Sequence, residues 1–128
     1  TPGVNIGLFC STPMVALSRN VAPKHAMEML LTGEMIPAAR AAEIGLVNRL
    51  VPADALEAET AALAGRLAGK SSKVLRFGKR GFYHQQSMNL GDAYALCTEA
   101  MIENMGFDDA SEGIDAFLGK REPNWKDN

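Results

Sequence analysis

Apolar residues recur at helical spacing through most of this chain. From Lys24 to Thr32, Ala26, Met29 and Leu30 share one face with Met27 and Leu31 beside it, and Gly33 stands where a helix ends. Pro37 opens a second helix over Ala38 to Ile44, with Gly45 at the left-handed stop. Upstream, Thr12 and Pro13 suit the N-cap and first turn of a helix over Met14 to Arg19. Asp54 and Glu57 have capping-box spacing ahead of a stripe of Leu56, Leu63, Ala64 and Leu67 that ends near Gly69. Ser71 or Ser72 can cap a helix to about Gln86, and Asn89 can start one whose face is Ala93, Leu96, Cys97, Ala100, Met101 and Met105. Asp108 or Asp109 starts the last, with Glu112 completing a second capping box and Ile114, Phe117 and Leu118 facing inward until Pro123. Two segments read as strands: Val4, Ile6 and Leu8 in alternation, and Leu46 to Val51 before Pro52. The fold class is therefore mainly α with one or two short strands. An edge strand so near residue 1 needs a hydrogen-bonded neighbour, so the chain is expected to begin partway through a fold.

Composition narrows the chemistry. The 128 residues suit one continuous unit, and 47% hydrophobic with 22% charged residues is the balance of a folded protein. A net charge of −2 gives no bulk attraction to nucleic acid, and no apolar run approaches the roughly 20 residues of a membrane span. Thr1 to Asn5 lacks the basic n-region of a signal peptide. Cys10 and Cys97 lie far apart, outside any Cys-x-x-Cys spacing, which favours a reducing compartment. Neither His25 nor His84 has a ligand partner at metal-binding spacing, so no metal is expected. Cys10-Ser11-Thr12 is a candidate active-site turn whose N–H groups can face a substrate oxygen, or simply a capped turn. Lys73, Arg76 and Arg80, at i, i+3 and i+7, form either a phosphate-binding stripe or a solvated helix face.

A more specific signal lies in Ala26-Met27-Glu28-Met29-Leu30-Leu31-Thr32-Gly33-Glu34, then Ile36, Ala38, Ala41 and Ala42, then Gly45-Leu46-Val47-Asn48 and Val51-Pro52. This block closely resembles the enoyl-CoA hydratase/isomerase (crotonase) superfamily. Pro2 to Leu8 resembles that family's strand before its active-site turn, and Glu112-Gly113-Ile114 through Phe117 to Arg121 resembles its C-terminal helix. The likeness runs along essentially the whole chain but covers only the C-terminal half of a family member, and is nearest to the enoyl-CoA hydratase domain-containing proteins.

The resemblance implies the C-terminal part of the crotonase-like α/β (ββα spiral) fold: residues 1–52 as the end of the core and 53–128 as the helical trimerisation region. It implies a full-length parent that is a lyase or isomerase of fatty-acid metabolism, in a bacterial cytoplasm or the mitochondrial matrix. The ligand would be an acyl-CoA thioester, coenzyme A being part of the substrate and no other cofactor being needed. Family enzymes hold the enolate oxygen with two backbone N–H groups, both upstream of this segment. Hydratases add two glutamates that activate water; one is upstream and the other falls at Gly3, so the segment carries no catalytic residue and is expected to be inactive alone. The family's glycine-rich turn is replaced by Cys10-Ser11-Thr12-Pro13. Phe117 and Lys120 match positions that contact the adenine and phosphate end of CoA, the competing reading being a core ring and a solvated helix-end cation. A homo-oligomer, trimer or dimer of trimers, is implied as partner. The alternative is a non-catalytic helical oligomerisation or interaction module.

Overall fold

The computed structural model describes residues 1–126. Seven α-helices follow one another: α1 (Pro13–Asn20), α2 (Pro23–Thr32), α3 (Ala38–Glu43), α4 (Leu56–Ala68), α5 (Ser72–Gln85), α6 (Leu90–Met105) and α7 (Asp108–Leu118). Short 3-10 turns occupy Gly3–Ile6 and Ala53–Ala55. The chain divides into two compact units, Thr1–Leu56 and Glu57–Asn128.

The mainly helical class holds, but neither expected strand forms, and no strand occurs among the described residues. Gly3–Ile6 is a 3-10 turn in which Asn5 N–H donates to Pro2 O at 3.0 Å and Leu8 N–H to Gly3 O at 2.9 Å. Gly7 ends it with φ of 76°, so the chain here turns back on itself instead of running extended. Leu46 to Val51 is lost as a strand for a similar reason. Leu46 N–H donates to Ala41 O at 2.9 Å and Gly45 N–H to Ala42 O at 3.2 Å, a Schellman motif around Gly45 at φ of 78°. That closure of α3 consumes a donor at the start of the apolar run.

Within the first unit, Leu17 of α1 and Val21 just beyond its end pack against Ala26 and Leu30 of α2, with Cys10, Met29 and Ile44 against them. Gly33 ends α2 as its sequence position indicates, at φ of 62°. Thr12 does not cap α1: its backbone is already helical, and its side chain makes no cap hydrogen bond. Asp54 lies within the second 3-10 turn rather than standing before it as a cap.

In the second unit, Ser71 is the cap of α5, its Oγ accepting from Val74 N–H at 3.1 Å, and Asn89 caps α6 by accepting from Asp92 N–H at 3.0 Å. Phe77 of α5 meets Phe107 edge-on at 5.2 Å, a favoured aromatic geometry. The inward face of α7 differs from expectation. Asp109 and Ala116 are each 1% exposed, whereas Ile114, Phe117 and Leu118 are exposed. The tail after α7 selects that face. Trp125 Nε1 donates to Gly69 O at 2.9 Å, its ring lies 3.3 Å from where a Cβ on Gly113 would stand, and Lys126 N–H donates to Asp109 Oδ1 at 2.7 Å.

Glu112 also departs from its expected capping-box role. Arg121 holds its carboxylate with two nitrogens, at 2.6 and 2.9 Å, and Asn124 N–H adds a third donor at 2.7 Å. These hydrogen bonds, first Arg121 and then Asn124, pull the Glu112 pKa from the usual 4.5 to about 2.

Leu30→Ala should destabilise the chain by about 2–5 kcal/mol in urea unfolding, because it leaves a hole beneath a 3% exposed side chain, whereas Phe117→Ala should stay within about 0.5 kcal/mol. Glu112 gives a pH signature. A carboxyl depressed in the folded state contributes fully above about 4.5 and loses that contribution as pH falls toward about 2. The melting-temperature gap between the natural chain and Glu112→Gln should therefore be widest above pH 4.5, close by pH 2, and narrow in high salt.

Candidate functional site

The residues singled out from the sequence fall into two places, one in each unit. In the first unit the 3-10 turn brings Gly3 and Cys10 together. Gly3 N–H donates to Cys10 Sγ at 3.3 Å, and the thiol is half-buried. Ser11 and Thr12 follow on an exposed turn that runs into α1. The Ser11 N–H donates to Phe9 O at 2.7 Å and the Met14 N–H to Cys10 O at 3.0 Å, so those two donors are engaged within the turn and are not aimed outward.

The second place is the end of α7. Phe117, 83% exposed, lies on the wall of a cavity of about 490 Å3 with Val74, Leu75, Ile114, Leu118 and Trp125. The lining is almost wholly apolar, and its size suits a ring or a stretch of acyl chain. Lys120 follows the helix in the left-handed region at φ of 51°, the one non-glycine residue there among the described residues. Its conformation is that of a Schellman cap: Arg121 N–H donates to Ala116 O at 3.0 Å and Lys120 N–H to Phe117 O at 3.3 Å. A lysine in that slot costs roughly 1 kcal/mol relative to the glycine that usually fills it.

The basic stripe on α5 is partly spoken for. Lys73 Nζ stands 4.3 Å above the Phe107 ring and Arg80 5.8 Å from the Phe77 ring, and both line a groove of about 400 Å3 with Arg76 and Glu103. His25 Nδ1 faces Arg40 Nη2 at 3.2 Å and Glu28 at 4.0 Å, and Arg40 pairs with Glu43 at 2.8 Å. Among the described residues, no group of three or more His, Cys, Asp or Glu side chains gathers as a metal site.

Sequence reasoning passed over Trp125 and the pairing of Glu112 with Arg121, and read Asp109 as a helix start where it is a buried acceptor for Lys126 N–H. The available signal was the lone tryptophan eight residues beyond Phe117, with Gly113 inside a helix to make room for its ring.

The sequence model of a family described as enoyl-CoA hydratase/isomerase matches residues 1–128. Mouse enoyl-CoA hydratase domain-containing protein 3, mitochondrial, is 50% identical over 125 residues, 98% of this chain and 42% of the mouse protein. The crystal structure of human enoyl coenzyme A hydratase domain-containing protein 3 superposes at a TM-score of 0.93 with 50% identity, covering 98% of this chain and 49% of that one. An enoyl-CoA hydratase from Mycobacterium smegmatis also superposes at 0.93, with 46% identity and 49% of its chain covered. The chain thus spans less than half the length of these relatives. Matched from its first residue to its last, it belongs to the enoyl-CoA hydratase/isomerase family, the crotonase superfamily, and forms a helical C-terminal part of that fold.

Proposed function

We propose that the full-length polypeptide containing this segment binds acyl-CoA thioesters in fatty-acid metabolism, with coenzyme A as part of the substrate and no additional cofactor. The observation that carries this reading is the strained Lys120 beside the exposed Phe117. These are the two positions that family likeness assigns to the adenine and phosphate end of CoA. An aromatic ring offers a stacking face to a purine, and the ammonium that follows the helix offers a charge-assisted bond to phosphate. The apolar cavity behind Phe117 supports the same class of ligand.

Position 3 bears on the reaction. The second glutamate of the family's hydratases falls at Gly3, so we assign this protein no two-glutamate hydration and no catalytic side chain within the segment. Acyl-CoA chemistry in the whole protein then rests on the thioester being polarised by backbone donors supplied outside these residues. The naming of the mouse relative as mitochondrial favours the mitochondrial matrix over a bacterial cytoplasm.

A second reading has its own support. Along α6, Leu90, Tyr94, Cys97, Met101 and Met105 form an exposed apolar stripe at i, i+4, i+7, i+11 and i+15. Such a stripe suits a helical interface in a trimer or dimer of trimers, and the segment would then serve assembly rather than catalysis.

Calorimetry of the full-length polypeptide with acyl-CoA should show saturable, salt-sensitive binding. Phe117→Ala and Lys120→Glu should each weaken it on the order of tenfold. Lys120→Gly should raise stability by about 1 kcal/mol while weakening binding, a split that a solvated lysine would not produce. No heat with any CoA thioester would end the ligand reading. For the assembly reading, light scattering should show a multimer that Tyr94→Glu and Met101→Glu together dissociate; a monomer at high concentration would reject it.

A further inference from the structure

The turn at the start of the first unit leaves no space for a side chain at position 3. A Cβ built on Gly3 would stand 2.7 Å from Leu8 O and 2.8 Å from Cys10 Sγ, both inside any tolerable contact. The backbone angles are not the obstacle, because Gly3 is not among the glycines with positive φ. Volume alone excludes a side chain.

Neither wall of that volume is free to retreat. Leu8 O belongs to the backbone, and Leu8 N–H is bonded to Gly3 O at 2.9 Å. Cys10 packs against the Leu17, Val21, Ala26 and Leu30 core, and its sulfur receives the Gly3 N–H at 3.3 Å. The opposite side of the turn is held on the end of α2. Thr1 Oγ1 donates to Met29 O at 3.1 Å, Asn5 Nδ2 donates to Gly33 O at 3.3 Å, and Val4 Cγ2 lies 2.9 Å from where a Cβ on Gly33 would be. A turn held on both sides must break one of these contacts to admit a new group.

We infer that Cys10 is a positioning residue that acts through Gly3: its thiol holds the Gly3 amide and fills the volume a position-3 side chain would need, so that glycine at 3 and cysteine at 10 are one coupled feature. This deepens the proposed function, since it rests on Gly3 standing where the family's second glutamate falls. The lost carboxylate is then not a simple point replacement. A glutamate at position 3 meets the sulfur and the Leu8 carbonyl before it reaches any substrate. Reactions open to this turn are those that use no side chain at position 3.

A double-mutant cycle on the intact polypeptide tests the coupling. Gly3→Ala should lower the melting temperature by about 5 °C or more. In a Cys10→Ala background the same change should cost clearly less, though not nothing, because Leu8 O remains. The amide proton of Gly3, read by NMR after 15N-glycine labelling, should shift in Cys10→Ala and move back toward its natural position in Cys10→Ser, which restores an acceptor. That measurement keeps glycine at 3 and so survives any failure of Gly3→Ala to fold. Equal costs of Gly3→Ala in both backgrounds, or a Gly3 amide indifferent to residue 10, would overturn the inference. So would a Gly3→Glu variant as stable as the natural chain. Turnover and binding of CoA thioesters are separate readouts: coupling in the melts with no CoA binding would retain the Gly3–Cys10 pair and reject the acyl-CoA reading.

Discussion

Four apolar side chains, Leu17 on α1 and Val21 at its C-cap with Ala26 and Leu30 on α2, make the contact on which the first unit depends. Two short helices of 8 and 10 residues have little independent stability, so their mutual burial is what keeps either folded. The candidate turn inherits its geometry from that contact. Cys10 rests on the same cluster, the sulfur of Cys10 receives the Gly3 amide, and Met29 of α2 and its cap Gly33 offer their carbonyls to Thr1 and Asn5. A small core thus sets the position of a glycine backbone seven residues from the nearest side chain that fixes it.

The same backbone device closes α3 and α7, yet with different residues. Gly45 ends α3 in the left-handed region at no steric cost, while Lys120 ends α7 in that region despite its Cβ. The hydrogen bonds around the two are alike, so geometry alone would favour glycine at both. Lysine at this position puts a positive charge just past the C-terminal end of α7, three residues after the exposed Phe117.

Helix positions were legible because each is a local property. Gly33, Gly45, Ser71 and Asn89 act where their chemistry indicates, through a left-handed angle or a side-chain oxygen aimed at the amide three residues on. The failures share a physical cause. Alternation over Val4, Ile6 and Leu8 is equally compatible with a 3-10 turn when Gly7 can turn back the chain, and three residues hold too little periodicity to separate them. The inward face of α7 was misplaced because Ile114, Phe117 and Leu118 are its most apolar residues, whereas Asp109, Gly113 and Ala116 take the face that Trp125 and Lys126 cover. Glu112 has capping-box spacing but finds a stronger partner in the Arg121 guanidinium.

By itself, the sequence determined the helical class, most helix ends and the family, because propensity, capping and motif spacing act within a few residues of chain. Tertiary structure alone decided three things: that the Cys10 sulfur closes the space at Gly3, that Trp125 returns to Gly69 across 56 positions, and which face of α7 is buried. Each depends on atoms from separate segments arriving within a few ångströms of one another, and no local pattern encodes such a distance.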